Sequence, residues 1–388
     1  MIDYLRKKLE QLADTLLDPL WARILKLPWT LRALVLLFAI LAAYFVYSPE
    51  SASSALAIGS AVVRVGLIND HKIPISPAIR AKMEDTAQRI AATLKQDLSL
   101  DAVNVNPLTI AQAVLGTNRL RKDVDTKPLV RFIRESADTS CNCWRDLPGR
   151  PHNCVISGWV LTALAEMGDP ARSGEIEFLL QEQNRDGWWS MYVVEPTSKY
   201  ASTYATAWAL LGLSSQLTKG LSPTDQGPGI STAIQKAAAW LLSQREQKFP
   251  RWKDYPLLRN GAISESISGV VVHALHQAIP DQMTQIDRAW LSALPSRVVS
   301  PKESDRIYIG YDTRQGYAND DFVQVILPWM LVATADAYNN GNVAQRAKAL
   351  VWLEESLSQE SILEADTTPE NWWRAELLFA LNYLLERS

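Results

Sequence analysis

From residue 74 onwards the chain alternates between two apolar patterns. SGEIEFLLQEQ (Ser173–Gln183) keeps its apolar residues on one helical face, whereas AWALLGL (Ala207–Leu213) and ISGVVVHAL (Ile267–Leu275) are apolar almost all round. The first pattern predicts a helix that covers a core from outside, the second a helix buried on every side. The pairing recurs. An aromatic residue followed by Leu or Ile opens each round: Phe132-Ile133, Phe178-Leu179, Trp240-Leu241, Trp290-Leu291 and Trp352-Leu353. A polar loop follows, often carrying Trp, and then an apolar helix that ends at Leu164, Leu213, Leu275, Leu331 or Leu381. An earlier pair, around AKMEDTAQRIAATLKQ and NPLTIAQAVL, supplies a sixth unit. Helical hairpins with buried inner and amphipathic outer members predict an all-α architecture closed as a double ring, an α/α toroid, over residues 74–388.

Upstream the pattern changes. Thr30–Tyr47 (TLRALVLLFAILAAYFVY) is apolar except for Arg32 near its start. That is the length of a membrane span, with Trp29, Tyr44 and Tyr47 where interfacial aromatics sit. A single-pass anchor over residues 30–47 is therefore expected. Arg6, Lys7, Lys8, Arg23, Lys26 and Arg32 precede or open the span, and Arg64 and Lys72 follow it. The positive-inside rule then places residues 1–29, read as an amphipathic surface helix, in the cytoplasm. The toroid would lie on the far side of the inner membrane, in the periplasm. Residues 48–73 read as a linker. Within them Ser51–Ile68 is small and apolar, and as a second weak span it would return the toroid to the cytoplasm.

Composition narrows the function classes. Of 388 residues 47% are hydrophobic and 21% charged, with a formal net charge of −3. The chain is a folded protein without the basic face of a nucleic-acid binder. Its 14 tryptophans raise the prospect of aromatic surfaces inside the ring.

QNRDGWW matches the Q-x3-G-x-W pattern of the squalene/terpene cyclases in Gln183, Gly187 and Trp189. ASTYATAWALLGL, which follows it, resembles the inner-helix start of those cyclases and of protein prenyltransferase β subunits. The resemblance covers Pro74 to Arg387 and implies an α/α toroid with a central cavity. The catalytic motifs depart from the family. Ala318-Asn319-Asp320-Asp321 lacks the first Asp of D-x-D-D, and Asp320-Asp321 does not continue as D-D-x-x-D. No cysteine follows Cys154, which removes the prenyltransferase zinc site, and the thioester motif of complement-type toroids is missing.

Aligning the inner helices on their leucines gives a polar position that reads Cys154, Thr203, Glu265, Asp321 and Asn371. Three residues on it reads Ser157, Thr206, Ser268, Gln324 and Arg374. Residues i and i+3 share a helical face, so each inner helix is expected to open with two polar groups at one mouth of the ring. Glu265, Asp321 and the adjacent Asp320 are acid/base candidates. Arg374 would hold an anion, and Gln324, Thr203, Thr206 and Ser268 would contact a ligand. Helix capping is the competing reading of the same positions. The loop residues Trp188, Trp252, Trp372 and Trp373 would line a cavity, stack on sugars, or pack between helices.

CNCWRDLPGRPHNC holds every cysteine of the chain. Cys141, Cys143, His152 and Cys154 form a C-x-C-x8-H-x-C set suited to tetrahedral zinc. A disulfide joining Cys141 or Cys143 to Cys154 is the alternative in an oxidising compartment. Three functions remain open. The first is a membrane-anchored toroid that binds, and perhaps transforms, an elongated apolar or isoprenoid-linked ligand. The second is an envelope glycan hydrolase or lyase using Glu265 and Asp321. The third is a scaffold or sensor for a membrane-protein partner.

Overall fold

A computed structural model describes residues 57–65, 72–100, 107–118, 127–145, 152–191, 201–223, 225–246, 249–257, 263–297, 299–300, 303–309, 320–359, 362 and 371–388. Residues 1–63 and 64–388 are separate compact units. The expected surface helix (1–29) and anchor (30–47) lie outside the described residues. Among the described residues no helix is long and apolar enough to cross a membrane. Of Ser51–Ile68, residues 57–65 form a short helix. Its Arg64 is held by Glu354 through two contacts of 2.7 and 2.6 Å, so from residue 64 the chain belongs to the second unit.

That unit is the expected toroid. The outer helices are α1 (Pro77–Leu100), α3 (Lys127–Glu135), α5 (Ser173–Glu182), α7 (Gly227–Ser243), α9 (Thr284–Ser292) and α11 (Val343–Leu357). The inner ones are α2 (Pro107–Asn118), α4 (Cys154–Glu166), α6 (Thr203–Thr218), α8 (Glu265–Ala278), α10 (Leu327–Ala337) and α12 (Asn371–Arg387). Each inner helix packs on the next, and α12 packs on α2, which closes the ring. α4 and α6 are buried along nearly their whole length, as their unbroken apolar sequence requires. α7 buries one face through Ile230, Ala233, Ile234, Ala237, Ala238, Trp240 and Leu241.

Small residues set the bore. A Cβ at Gly158 would lie 2.4 Å from the Trp208 carbonyl oxygen, one at Gly269 2.6 Å from that of Trp329, and one at Gly116 2.8 Å from that of Ala375. Backbone therefore meets backbone where α4 crosses α6, α8 crosses α10 and α2 crosses α12. Rings fill the narrow centre. Trp159 and Trp208 stack with centroids 3.5 Å apart, and Trp329 stands edge-on to both at 5.7 and 5.2 Å. Phe379, Tyr383 and His273 continue the cluster. The three indoles are at most 1% exposed. Burying each contributes about 4–6 kcal/mol of gross hydrophobic free energy. Where the sequence leads to an open central cavity, the described residues pack aromatic rings at the centre.

Among the described residues two short antiparallel strand pairs interrupt the helices. β1 (Trp252–Lys253) pairs with β2 (Ile263–Ser264), and β3 (Ser304–Ile309) with β4 (Asp320–Val325). β4 corrects the sequence alignment. Asp320, Asp321 and Gln324 lie on this strand, Asp321 opposite Tyr308 and Gln324 opposite Asp305, and α10 begins only at Leu327. Phe322, Val323 and Val325 favour a pleated strand, and Pro328 fits the first turn of a helix rather than its interior.

The ring closes at a seam between its first and last helices. The Ile73 amide donates to the Arg387 carbonyl at 2.7 Å, and Arg80 donates to the Ser388 and Leu385 carbonyls. The Asn382 amide donates to the Gly116 carbonyl at 2.6 Å.

Candidate functional site

The predicted polar positions do mark helix starts. Cys154, Thr203, Glu265 and Asn371 are the first residues of α4, α6, α8 and α12. The caps themselves stand one residue earlier. Asn153 Oδ1 accepts from the Val155 and Ile156 amides, Ser202 Oγ from Ala205, and Ser264 Oγ from Ile267. Helix starts lie side by side: the Cys154 amide donates to the Met191 carbonyl, and the Thr203 amide to that of Asp254. One end of the ring therefore collects the N-termini, as expected.

The hydroxyls three residues on hold the ring together. Thr206 donates to the Ser202 carbonyl and accepts from the Trp189 amide; Ser268 donates to the Ser264 carbonyl and accepts from the Trp252 amide. The loop indoles reach the other way. Trp144, Trp189 and Trp252 donate to the carbonyls of Ile133, Leu179 and Leu241, near the ends of the preceding outer helices. Each such Trp is fully buried and hooks its loop between an outer and an inner helix, so Trp252 lines no cavity. Trp188 and Trp373 are buried too, while Trp372 is half-buried. The Q-x3-G-x-W element is equally structural. Gln183 donates to the carbonyls of Gly187 and, on α7, Ala233. Gly187 has φ 104° and presses against the Lys236 carbonyl, a place closed to any Cβ.

Two of the charged candidates, Glu265 and Arg374, already have interactions within the fold. Glu265 pairs with Arg251, which lies over the Trp290 ring. Arg374 is buried and already makes an interaction within the fold. Thr203 is fully buried. At the N-terminus of α8, Asp305 of the β3–β4 hairpin accepts from the Ser266 amide and the Ser264 and Ser266 hydroxyls. A carboxylate of the chain itself fills that anion position.

A different group stands out at the mouth. Asp254, just past β1, is buried, and among the described residues its carboxyl oxygens meet no donor in ordinary hydrogen-bond geometry, Ser202 being the one side chain placed to bond it. Burial pushes its pKa well above the usual carboxylate range, with only neighbouring Ser202 pulling it down. Burial therefore disfavours its charged form. Burial also raises the Tyr204 hydroxyl well above the usual phenol range. Glu376 and Asp254 push that pKa the same way, and the Trp159 and Trp208 indoles oppose them. Glu376 is buried and accepts from Trp329 Nε1 and Gln112 Nε2, both at 2.8 Å. Asp254, Tyr204 and Glu376 are thus three buried ionisable groups, and the charges of the two carboxyls bear on the phenol. Sequence reasoning missed all three. Glu376 is the sixth residue of α12, as Trp159 and Trp208 are of α4 and α6. Asp254 stands two residues after its loop Trp, where the preceding unit has Met191. Extending the repeat alignment to those columns exposes both.

The opposite end carries a second buried network. His273 Nδ1 lies 2.8 Å from Asp336 Oδ2, Tyr383 donates to the same carboxyl group, and Arg387 donates to the Tyr383 hydroxyl at 2.6 Å. His276 bonds Asp287 at 2.7 Å. Desolvation resists a charge on His276, but the Asp287 hydrogen bond and the Asp336 and Asp287 charges raise its pKa on balance.

In the cysteine loop the expected four-ligand set is divided. Cys141 and Cys143 are bridged to each other, and Cys154 is the free thiol. The pairing with Cys154 expected from the sequence is corrected accordingly. Burial, helped by the Glu182 charge, pushes the Cys154 thiol well above its usual range and makes it a poor nucleophile. Cys141, Cys143 and His152 do come together, with ligand atoms within 4.8 Å of one another.

No protein-family model matches the chain, and no curated protein does. Among solved structures, it is similar to a type II terpene cyclase from Scytonema in complex with geranylgeranyl dihydroxybenzoate. That likeness has 12% identity and a TM-score of 0.49, covering 81% of this chain and all of the cyclase. It is also similar to a family 105 glycoside hydrolase of C. acetobutylicum at 10% identity, TM-score 0.43, covering 77% and 98%. A protein from Actinoplanes matches at 14% identity, TM-score 0.44, covering 78% and 99%.

Proposed function

We propose that this chain is a membrane-anchored α/α toroid that binds a neutral, isoprenoid-like ligand at the mouth of its ring, with Asp254 as the group that donates a proton to it. The observation that carries the reading is the buried Asp254 carboxyl, with only Ser202 placed to bond it and its charge felt at the Tyr204 hydroxyl. Burial favours the protonated form of such a carboxyl, and a neutral acid suits an apolar ligand with electron-rich bonds. The ligand meets the end of the aromatic cluster rather than threading the bore, because Trp159, Trp208 and Trp329 occupy the centre. A purely passive scaffold has no need of a carboxyl held at this cost. Anchoring rests on the apolar run at 30–47, and placement of the ring outside the cytoplasm on the basic residues before it.

The test uses the full-length protein in nanodiscs. Binding of geranylgeraniol is followed by quenching of Trp fluorescence, and co-purifying lipids are identified by native mass spectrometry. Saturable binding that Asp254→Asn weakens, with circular dichroism unchanged, is the expected result. Absence of binding, or equal binding by the variant, refutes the reading.

A further inference from the structure

The Cys141–Cys143 bridge spans a single residue, Asn142, which takes φ 54°. It joins no two elements of the fold. Closing so short a loop restrains the unfolded chain less than any longer bridge would, so its structural return is small. Its surroundings are chemically specific. The His152 ring lies with both sulfurs in one group whose ligand atoms fall within 4.8 Å. Arg145 Nη2 is 2.6 Å from His152 Nε2, and Asp138 Oδ2 is 3.2 Å from the same nitrogen. Arg145 also pairs with Asp138. Cys141 is half-buried and Cys143 buried. An imidazole and a guanidinium beside a partly accessible bridge favour ionised sulfur once the bridge opens.

We propose that the Cys141–Cys143 bridge is a reversible switch whose reduced form, together with His152, binds a thiophilic cation such as Zn2+. Opening requires an external dithiol. Its two sulfurs become joined in their own disulfide, the bond between Cys141 and Cys143 breaks, and both sulfurs leave as thiols, a two-electron exchange. Zn2+ then displaces the two thiol protons to solvent. Two thiolates and a neutral imidazole serve as ligands and leave a fourth position for water. Bond lengths of about 2.0–2.3 Å put the ligand atoms of a tetrahedral site about 3.5–3.8 Å apart, within side-chain adjustment of the spacing here. Reoxidation by a disulfide donor removes both thiolates and releases the cation. Cys154 stands outside the group and takes no part.

The experiment titrates Zn2+ against a chromophoric chelator, using full-length protein oxidised or reduced with a phosphine that is then removed. The oxidised protein is expected to bind no zinc and to show one thiol, Cys154, only after unfolding. The reduced protein should bind one zinc per chain. Cys141→Ser, at the more accessible position, and Cys143→Ser should abolish binding, and His152→Ala should weaken it about tenfold or more. Cys154→Ser should leave it unchanged, with circular dichroism confirming the fold of each variant. Three titratable thiols without zinc, a bridge that resists reduction in the folded protein, or binding that survives Cys141→Ser would overturn the proposal. None of these results bears on ligand binding at the mouth.

Discussion

Replacing Gly158 with Ala tests the contracted ring at its tightest crossing. The added Cβ would stand 2.4 Å from the Trp208 carbonyl oxygen, 2.5 Å from its carbon and 2.8 Å from the Ala209 nitrogen. Ordinary contact begins near 3.4 Å, so α4 and α6 must part by about 1 Å. All three obstructing atoms are backbone, so no side chain can swing aside. Overpacking of this kind costs about 1–3 kcal/mol. The residues next to the crossing are Trp159 and Trp208, whose 3.5 Å stack would open as well, at a loss of about 0.5–1.5 kcal/mol. Alanine's better helix propensity returns about 1 kcal/mol. The net loss is about 2 kcal/mol, a fall in Tm of about 4 °C for a ring of this size. Thermal unfolding by far-UV circular dichroism reads the fall, and the near-UV signal of the stacked indoles should weaken before melting. Gly227→Ala is the control, because nothing lies within 4 Å of a Cβ there. A Gly158→Ala protein that melts at or above the wild-type temperature refutes the backbone-on-backbone crossing, and with it the narrow bore.

Two further outcomes follow from the buried titrating groups. The folded protein holds the Asp254 proton to higher pH than the unfolded chain, whose carboxyl titrates near about 4. Asp254 therefore reduces stability as pH rises from about 4 toward its folded value. Asp254→Asn should match wild type near pH 4 and become relatively more stable toward neutrality, and parallel denaturation profiles would contradict this. His276 has the opposite sign. Its pKa is raised on folding, so its contribution is full below about 6.5, the unfolded value, and is lost as pH rises through the folded value. His276→Gln should flatten the fall in stability across that window, and an unchanged slope would mean the Asp287 contact does not hold the proton.

The ring was legible because burial leaves a periodic trace. Helices buried all round read as unbroken apolar runs, and amphipathic ones carry a stripe, so the hairpins and four of the five aligned helix starts could be found. The fifth failed at Asp321 because local preference there opposes the repeat: alternating Phe322, Val323 and Val325 pair with β3, and Pro328 delays the helix. The state of the bore was not legible. Whether tryptophans line a cavity or fill it depends on how closely the inner helices approach, which Gly116, Gly158 and Gly269 decide through contacts distant in sequence. Asp254 was hidden for a related reason. Its character comes from burial with only Ser202 placed to bond it, and no motif records how few donors surround a carboxyl.

The seam has a consequence for how the protein is made. α2 gains its second inner neighbour only when α12, the last helix of the ring, is in place. Synthesis from the N-terminus therefore produces an open arc whose apolar inner helices stay uncovered until α12 has left the ribosome. Throughout that interval the half-built arc is a client for chaperones. Losing the last turn of α12, with Arg387 and its bonds to Ile73 and Tyr383, would weaken the closure.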